Sequence, residues 1–222
     1  MYERRLEGRE LSFGHNGTLL ENAFVMYDRQ TNSLWLHVTG EAFFGPLKGK
    51  RLTPMPSTVT TWAAWKRAYP HSLVLGGRRR GGLLGSYDGF KTTRNLGVVV
   101  TVLFDGKLYL LDALKEQPVV NDQFNGADVL VYYSREFKSA TAWSRKLDGR
   151  VLTFRRSQRR APDGGELLED EQTGSLWSWL AGEAVEGPLR GRQLAQLSYN
   201  PIYTDRFKVF YPDGPIFGEP KK

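Results

Sequence analysis

The chain has 222 residues, 40% hydrophobic, 25% charged and 13% aromatic, a globular balance that excludes disordered, collagenous and fibrous classes. It has no cysteine, which rules out disulfides, thiol nucleophiles and Cys-ligated metal centres, and its three histidines leave little for an all-His site. Lys and Arg number 31 against 24 Asp and Glu, a formal charge of +7 that draws the protein weakly toward polyanions without specifying one.

In chain order, Met1 to Leu11 contains no apolar core of a signal peptide, so the chain as given reads as cytoplasmic by default, or exported if an upstream signal peptide is missing. Asp28-Arg29-Gln30-Thr31-Asn32-Ser33-Leu34-Trp35 is a turn entering a strand, because Asp and Asn bond their own backbone or accept positive φ. Gly45-Pro46 then breaks that strand. A helix is expected over Thr60 to Tyr69, capped by Thr60 or Thr61 and stopped by Pro70, with Trp62, Trp65 and Tyr69 on one face. Gly76-Gly77-Arg78-Arg79-Arg80-Gly81-Gly82 is expected to form a connecting loop. Strands are expected over Leu96 to Phe104 and Ala127 to Tyr133. Asp105-Gly106 is the turn signal of a hairpin continued by Lys107 to Leu111, buried on both faces. Asp112 to Gln117 supplies one helical turn before Pro118, and Asn121-Asp122 and Asn125-Gly126 read as turns. The longest apolar stretch, Val98 to Phe104, is far shorter than the roughly 20 residues of a membrane helix. Asp205 to Tyr211 fits a weak helix or a strand.

The chain also repeats itself. Asp28 to Trp35 recurs as Asp170-Glu171-Gln172-Thr173-Gly174-Ser175-Leu176-Trp177, 142 positions later. Gly40-Glu41-Ala42 returns as Gly182-Glu183-Ala184, and Gly45-Pro46-Leu47 as Gly187-Pro188-Leu189. Leu6 to Phe13 matches Leu147 to Phe154 with an offset of 141. The expected architecture is α+β and β-rich: two homologous β units with short helices, packed about a pseudo-twofold axis as a single domain over 1–222. Unit one covers 6–70, the Arg/Gly loop 71–94, and unit two with its lead-in 95–212. Such a chain is a pseudo-symmetric monomer or a homodimer. Unit one lacks the lead-in of unit two, or borrows it.

The run Val25 to Trp35, Thr39-Gly40-Glu41-Ala42, Trp62-x-x-Trp65 and Val119-x-Asn121-Asp122 resembles a bacterial and archaeal family, domain of unknown function 3179, over nearly the whole chain. The resemblance implies proteins that are often exported or lipid-anchored and have no settled activity. It also implies a Tyr-Cys-Pro-Leu-Cys segment ahead of Arg4, absent here, so the chain looks like a shortened member without the family's cysteines.

Asp28 with Glu41, and Asp170 with Glu183, are carboxylate pairs repeated at equal spacing, the residue type that acid/base hydrolysis needs, with His37 as a candidate base. A structural role is preferred, because a duplicated fold keeps its turn residues in both copies whereas an active site needs only one. Trp35, Trp62 and Trp177 offer a stacking platform for sugars or bases or, preferred, core packing. Arg78, Arg79 and Arg80 offer sequence-independent nucleic-acid contacts or a solvated loop. No Walker loop, serine elbow or His-x-x-x-His spacing is present, so no cofactor or metal is expected. The leading expectation is a non-enzymatic binding or structural module of unknown ligand and partner, the alternatives being a hydrolase-like enzyme using one carboxylate, Asp28 or Glu41, with His37 as base, and a sequence-independent nucleic-acid binder through Arg78 to Arg80.

Overall fold

Both copies of the repeat open on a minimal hairpin and continue as a four-stranded antiparallel sheet. In the first, β1 (Arg5–Leu6) and β2 (Arg9–Glu10) pair across Glu7-Gly8, with φ of 48° and 79°. Two positive φ values give the loop a twist that matches the strands it joins. β3 (Phe13–Leu20), β4 (Ala23–Asp28), β5 (Leu34–Leu36) and β6 (Ala42–Phe44) follow in sheet order β3-β4-β5-β6. Helix α1 (Trp62–Ala68) ends the unit; Thr61 caps it by accepting from the Ala64 N–H at 3.3 Å.

This computed structural model describes residues 1–74 and 96–219. Most of the Arg/Gly loop, including Arg78, Arg79 and Arg80, lies outside the described residues. The lead-in of the second copy contains β7 (Leu96–Val102), β8 (Asp105–Leu110), α2 (Leu111–Glu116), β9 (Val119–Phe124), β10 (Ala127–Ser134) and β11 (Ser139–Ser144). The copy itself runs through β12 (Lys146–Leu147), β13 (Arg150–Val151), β14 (Phe154–Arg160), β15 (Glu166–Asp170), β16 (Leu176–Ser178) and β17 (Ala184–Glu186). It closes with β18 (Ser198–Tyr203), α3 (Thr204–Phe210) and β19 (Ile216–Phe217). β14 to β17 repeat the sheet order of β3 to β6. β9 to β11 form a three-stranded sheet, and β18-β7-β8-β19 a four-stranded one in which only β19 is parallel to its neighbour. The protein is β-rich, with several sheets and few short helices.

Three expectations need correction, and one open alternative is decided. The β7–β8 hairpin turns at Leu103-Phe104 (φ 49° and 71°), and Asp105-Gly106 belongs to β8 opposite Val102 and Thr101. Gly106 serves packing: a Cβ there would lie 2.8 Å from the Tyr211 ring. Asn121-Asp122 lies inside β9 rather than in a turn, its side chains turned to other elements, with Asn121 bonding the backbone of Phe154 and Asp122 bonding Tyr109. Asp205 to Tyr211, open to helix or strand in the sequence, is helical up to Phe210. The Trp62-Trp65-Tyr69 stripe is not the buried face of α1: Ala64 is 3% exposed and Trp62 is 50% exposed. Small Ala64 and Ala68 let the helix approach Trp179 and Phe137 closely, which leaves the large rings on its flank.

The cores show how the copies meet. Trp35, Leu11, Ala42 and Leu52 form one cluster, and Trp177, Trp179, Leu152 and Phe154 another that extends into Leu130, Tyr132 and Trp143 of the lead-in. α1 of the first copy enters the second cluster through Ala64, beside Leu180. Val38, the counterpart of Leu180, packs against Phe207 and Tyr211 at α3 of the second copy. Each copy therefore lays its helix on the other copy's strand-to-strand bend.

Candidate functional site

The repeated motif is a turn staple. The Asp28 carboxylate, fully buried, accepts from the Thr31 N–H at 2.6 Å, the Thr31 hydroxyl at 2.9 Å and the Trp35 indole N–H at 2.9 Å. Asp170 makes the same three bonds to Thr173 and Trp177 at 2.6, 2.9 and 2.9 Å. Gln30 accepts from the Ser12 N–H and Gln172 from the Thr153 N–H, while the Ser33 and Ser175 hydroxyls accept from the Leu47 and Leu189 N–H groups. The Asp, Gln, Thr and Ser side chains of the motif are thus spent on backbone, on one another or on its own tryptophan. Burial pushes the Asp28 carboxyl up, but the bonds from Trp35 and Thr31 outweigh it and hold the group below the usual carboxylate range.

Of the proposed catalytic residues, Asp28 is sealed from solvent, and His37 is exposed with Nδ1 on the Phe24 carbonyl at 3.0 Å and its ring edge-on to Phe24. Glu41 lines a cleft formed by the described residues. Trp35 and Trp177 are each 0% exposed and present no face to a ligand. Trp62 is open to solvent, with the Lys66 ammonium 5.8 Å from its ring centroid. The arginines of β14 are neutralised in place: Arg155 by Glu169, Arg156 by Glu166, Arg159 by Glu186 and Arg160 by Glu136. They leave no free cationic strip along that strand.

The largest described cleft, about 680 Å³, opens between the first copy's bend and the lead-in of the second. Glu41 and Arg51 form a 2.7 Å ion pair at its wall, 34% and 42% exposed, and the Arg51 guanidinium lies 5.7 Å from the Phe104 ring centroid. Asp105, held by Asn125 Nδ2 at 2.7 Å, and Tyr211 add to the polar lining, with Thr39 and Asp213. Burial raises the Tyr211 phenol, so it stays a neutral donor. Tyr2 donates to the Val38 carbonyl at 2.6 Å and fixes the bend from behind. Sequence reasoning missed Arg51, Phe104 and Tyr211. The one available signal was a break in the repeat: Gln193 stands where Arg51 does, opposite Glu183 as Arg51 is opposite Glu41.

A second, smaller cleft of about 300 Å³ contains Glu183, Ala181 and Ala68, the counterparts of Glu41, Thr39 and Phe210 in the first. The repeat thus places a cleft at the same bend twice, with different chemistry in each.

The family described as "Protein of unknown function (DUF3179)" matches residues 1–93 and again residues 92–222. The chain belongs to the DUF3179 family. No curated protein and no solved structure matches it. The two matches of the DUF3179 pattern divide the chain between the copies that share the Asp–Trp staple. Among the described residues, no helix is long and apolar enough to cross a membrane, and no group of three or more His, Asp or Glu is placed to hold a metal ion.

Proposed function

We propose that this DUF3179 chain is a non-enzymatic binding module that seats a small polyhydroxylated ligand, such as a mono- or disaccharide, in the Glu41–Arg51 cleft. The observation that carries the reading is the half-exposed Glu41–Arg51 pair over the Phe104 ring, a feature the second copy replaces with Glu183 and Gln193. Paired hydroxyls on a sugar ring match a carboxylate acceptor beside a guanidinium donor, and Phe104 offers an apolar ring to the C–H face. The cleft volume of about 680 Å³ falls in the usual range for small-molecule sites. The reciprocal seating of α1 and α3 supports a pseudo-twofold arrangement of the copies within one domain.

Ligand-observed NMR against a panel of neutral mono- and disaccharides tests the reading. Binding at millimolar concentration or below is expected, and Arg51→Gln, which imports the second copy's residue, abolishes it with the fold intact. Absence of binding by every sugar at about 10 mM refutes it, since a Kd above that leaves under 3 kcal/mol of interaction.

A further inference from the structure

The Glu41–Arg51 cleft is acidic in a basic protein. Glu41, Asp105 and Asp213 line it against one cation, Arg51, whereas the chain as a whole carries +7. The backbone brings two of these carboxylates side by side. β19 runs parallel to β8 with Ile216 opposite Leu108, and the Leu108 N–H donates to the Pro215 carbonyl at 3.0 Å. Two residues back on both segments, Gly214 lies against Gly106: a Cβ on Gly214 would stand 2.6 Å from the Gly106 carbonyl oxygen. Asp213 and Asp105 immediately precede these glycines, and both are exposed at the cleft. Like charges at neighbouring strand positions repel each other, and the cations around them are committed elsewhere. Arg51 pairs with Glu41 at 2.7 Å and Lys107 with Asp122 at 2.6 Å, while Lys208 donates to the Pro212 and Gly214 carbonyls at 3.2 and 2.7 Å, on either side of Asp213. Asp105 accepts only from a neutral group among the described residues, the Asn125 amide.

We propose that the ligand of this cleft is an amino sugar, whose free, protonated amine is held by Asp105 and Asp213 while its ring is seated at Glu41 and Arg51. The inference rests on the sugar-site reading and narrows it from neutral saccharides to cationic ones. An ammonium carries three N–H donors and one positive charge, so it suits two carboxylates on adjacent segments and relieves the repulsion between them. Tyr211 borders both ends of the site: burial first of all raises its phenol, and among the lesser influences Arg51 lowers it and Asp105 raises it. The ion pair and Asp105 therefore face one side chain, and a single sugar ring with one charged substituent serves both. The fold itself does not require the carboxylate at Asp213. Tyr69-Pro70-His71 of the first copy returns as Tyr211-Pro212-Asp213 in the second, with the acid present only where the corner faces the large cleft.

Ligand-observed NMR titrations of glucosamine, N-acetylglucosamine and glucose at about pH 6 test this, since an amine of this kind is protonated there and the N-acetyl analogue keeps the substituent without the charge. Glucosamine is expected to bind about fivefold or more tighter than glucose, and N-acetylglucosamine no tighter than glucose. Asp213→Asn and Asp105→Asn each cut the glucosamine advantage and leave the glucose Kd within about twofold. Asp213→Asn is at an exposed position and serves alone if Asp105→Asn, through its bond to Asn125, perturbs the circular-dichroism spectrum. If glucosamine binds no tighter than the neutral sugars, the charge inference is overturned and the sugar reading stands. An advantage undiminished by Asp213→Asn overturns it as well. If neither these three nor any sugar of the neutral panel binds at about 10 mM, the sugar reading falls and this inference with it.

Discussion

Replacing Asp28 by asparagine changes one atom in a site with no access to water. The carboxylate accepts three hydrogen bonds, from the Trp35 indole at 2.9 Å and from the Thr31 N–H and hydroxyl at 2.6 and 2.9 Å. An amide retains one acceptor oxygen. If that oxygen stays with Thr31, the NH₂ points at the indole N–H, donor against donor; if it flips, Thr31 loses its partner instead. Either way a charge-assisted bond disappears and a buried donor is left unpaired, a loss on the order of 3 kcal/mol. For a chain of this size that corresponds to a fall in Tm of about 6 to 12 °C. Asp170→Asn is expected to match it, because the bonds to Thr173 and Trp177 have the same lengths and Asp170 is equally buried. The two losses are expected to add, since Trp35 and Trp177 belong to separate core clusters. Urea and thermal unfolding of the two single variants, the double variant and Asp28→Asn in a Trp35→Phe background provide the measurement. Removing the indole donor first should shrink the penalty at Asp28. A change below about 0.5 kcal/mol for Asp28→Asn would refute the staple, and would return Asp28 to the list of residues free to do chemistry.

The same carboxylate sets an acid limit. Burial pushes the carboxyls of Asp28 and Asp122 up, but hydrogen bonds from Trp35 and Thr31 in one case, and from Lys107 and Tyr109 in the other, outweigh it and leave both depressed. The unfolded chain therefore takes up the proton more readily, so their contribution is complete above about pH 4 and is lost as pH falls through the folded values. Urea midpoints measured down the acid range should drop for the native chain and drop less steeply for Asp28→Asn. Glu41→Gln should change stability by less than about 1 kcal/mol, because its ion pair with Arg51 is partly exposed, while eliminating sugar binding in the NMR assay. Leu103→Asn with Phe104→Gly should raise Tm by relieving two bulky residues at positive φ, a gain of about 1 to 3 kcal/mol, and should weaken ligand binding by removing the ring beneath Arg51. Gly106→Ala should destabilise and lower ligand affinity together, because its Cβ displaces Tyr211.

The repeat was readable because its turn residues are chemically unforgiving. Asp28 and Thr31 act within four residues of each other and Trp35 answers in the next strand, so the motif carries its whole meaning locally. The hairpin at Leu103-Phe104 was not readable, since Asp105-Gly106 is the better turn signal and only contact with Tyr211, more than a hundred residues away, explains the glycine. The inverted face of α1 has the same origin. Periodicity locates an aromatic stripe on the helix but not the surface it meets, and the close approach to Trp179 and Phe137 required alanine. The cleft was hidden for a further reason: Glu41, Arg51, Phe104 and Tyr211 come from four separated segments, and although Glu41 and Tyr211 recur as Glu183 and Tyr69, Arg51 and Phe104 belong to no repeated motif.

Divergence between the copies separates what the fold needs from what it is free to use. Asp, Gln, Thr, Ser and Trp of the staple are retained twice, because each closes a bond that the others leave open and a single replacement strands a buried partner. Positions that face solvent or a cleft have drifted: Arg51 against Gln193, His37 against Trp179, Phe24 against Glu166. Were ligand binding a property of the repeat as such, the two clefts would have kept one chemistry. Their difference in volume and lining supports the proposed reading, in which the ligand is seated at Glu41 and Arg51 of the first copy alone, while the second copy carries Glu183 and Gln193 at those positions.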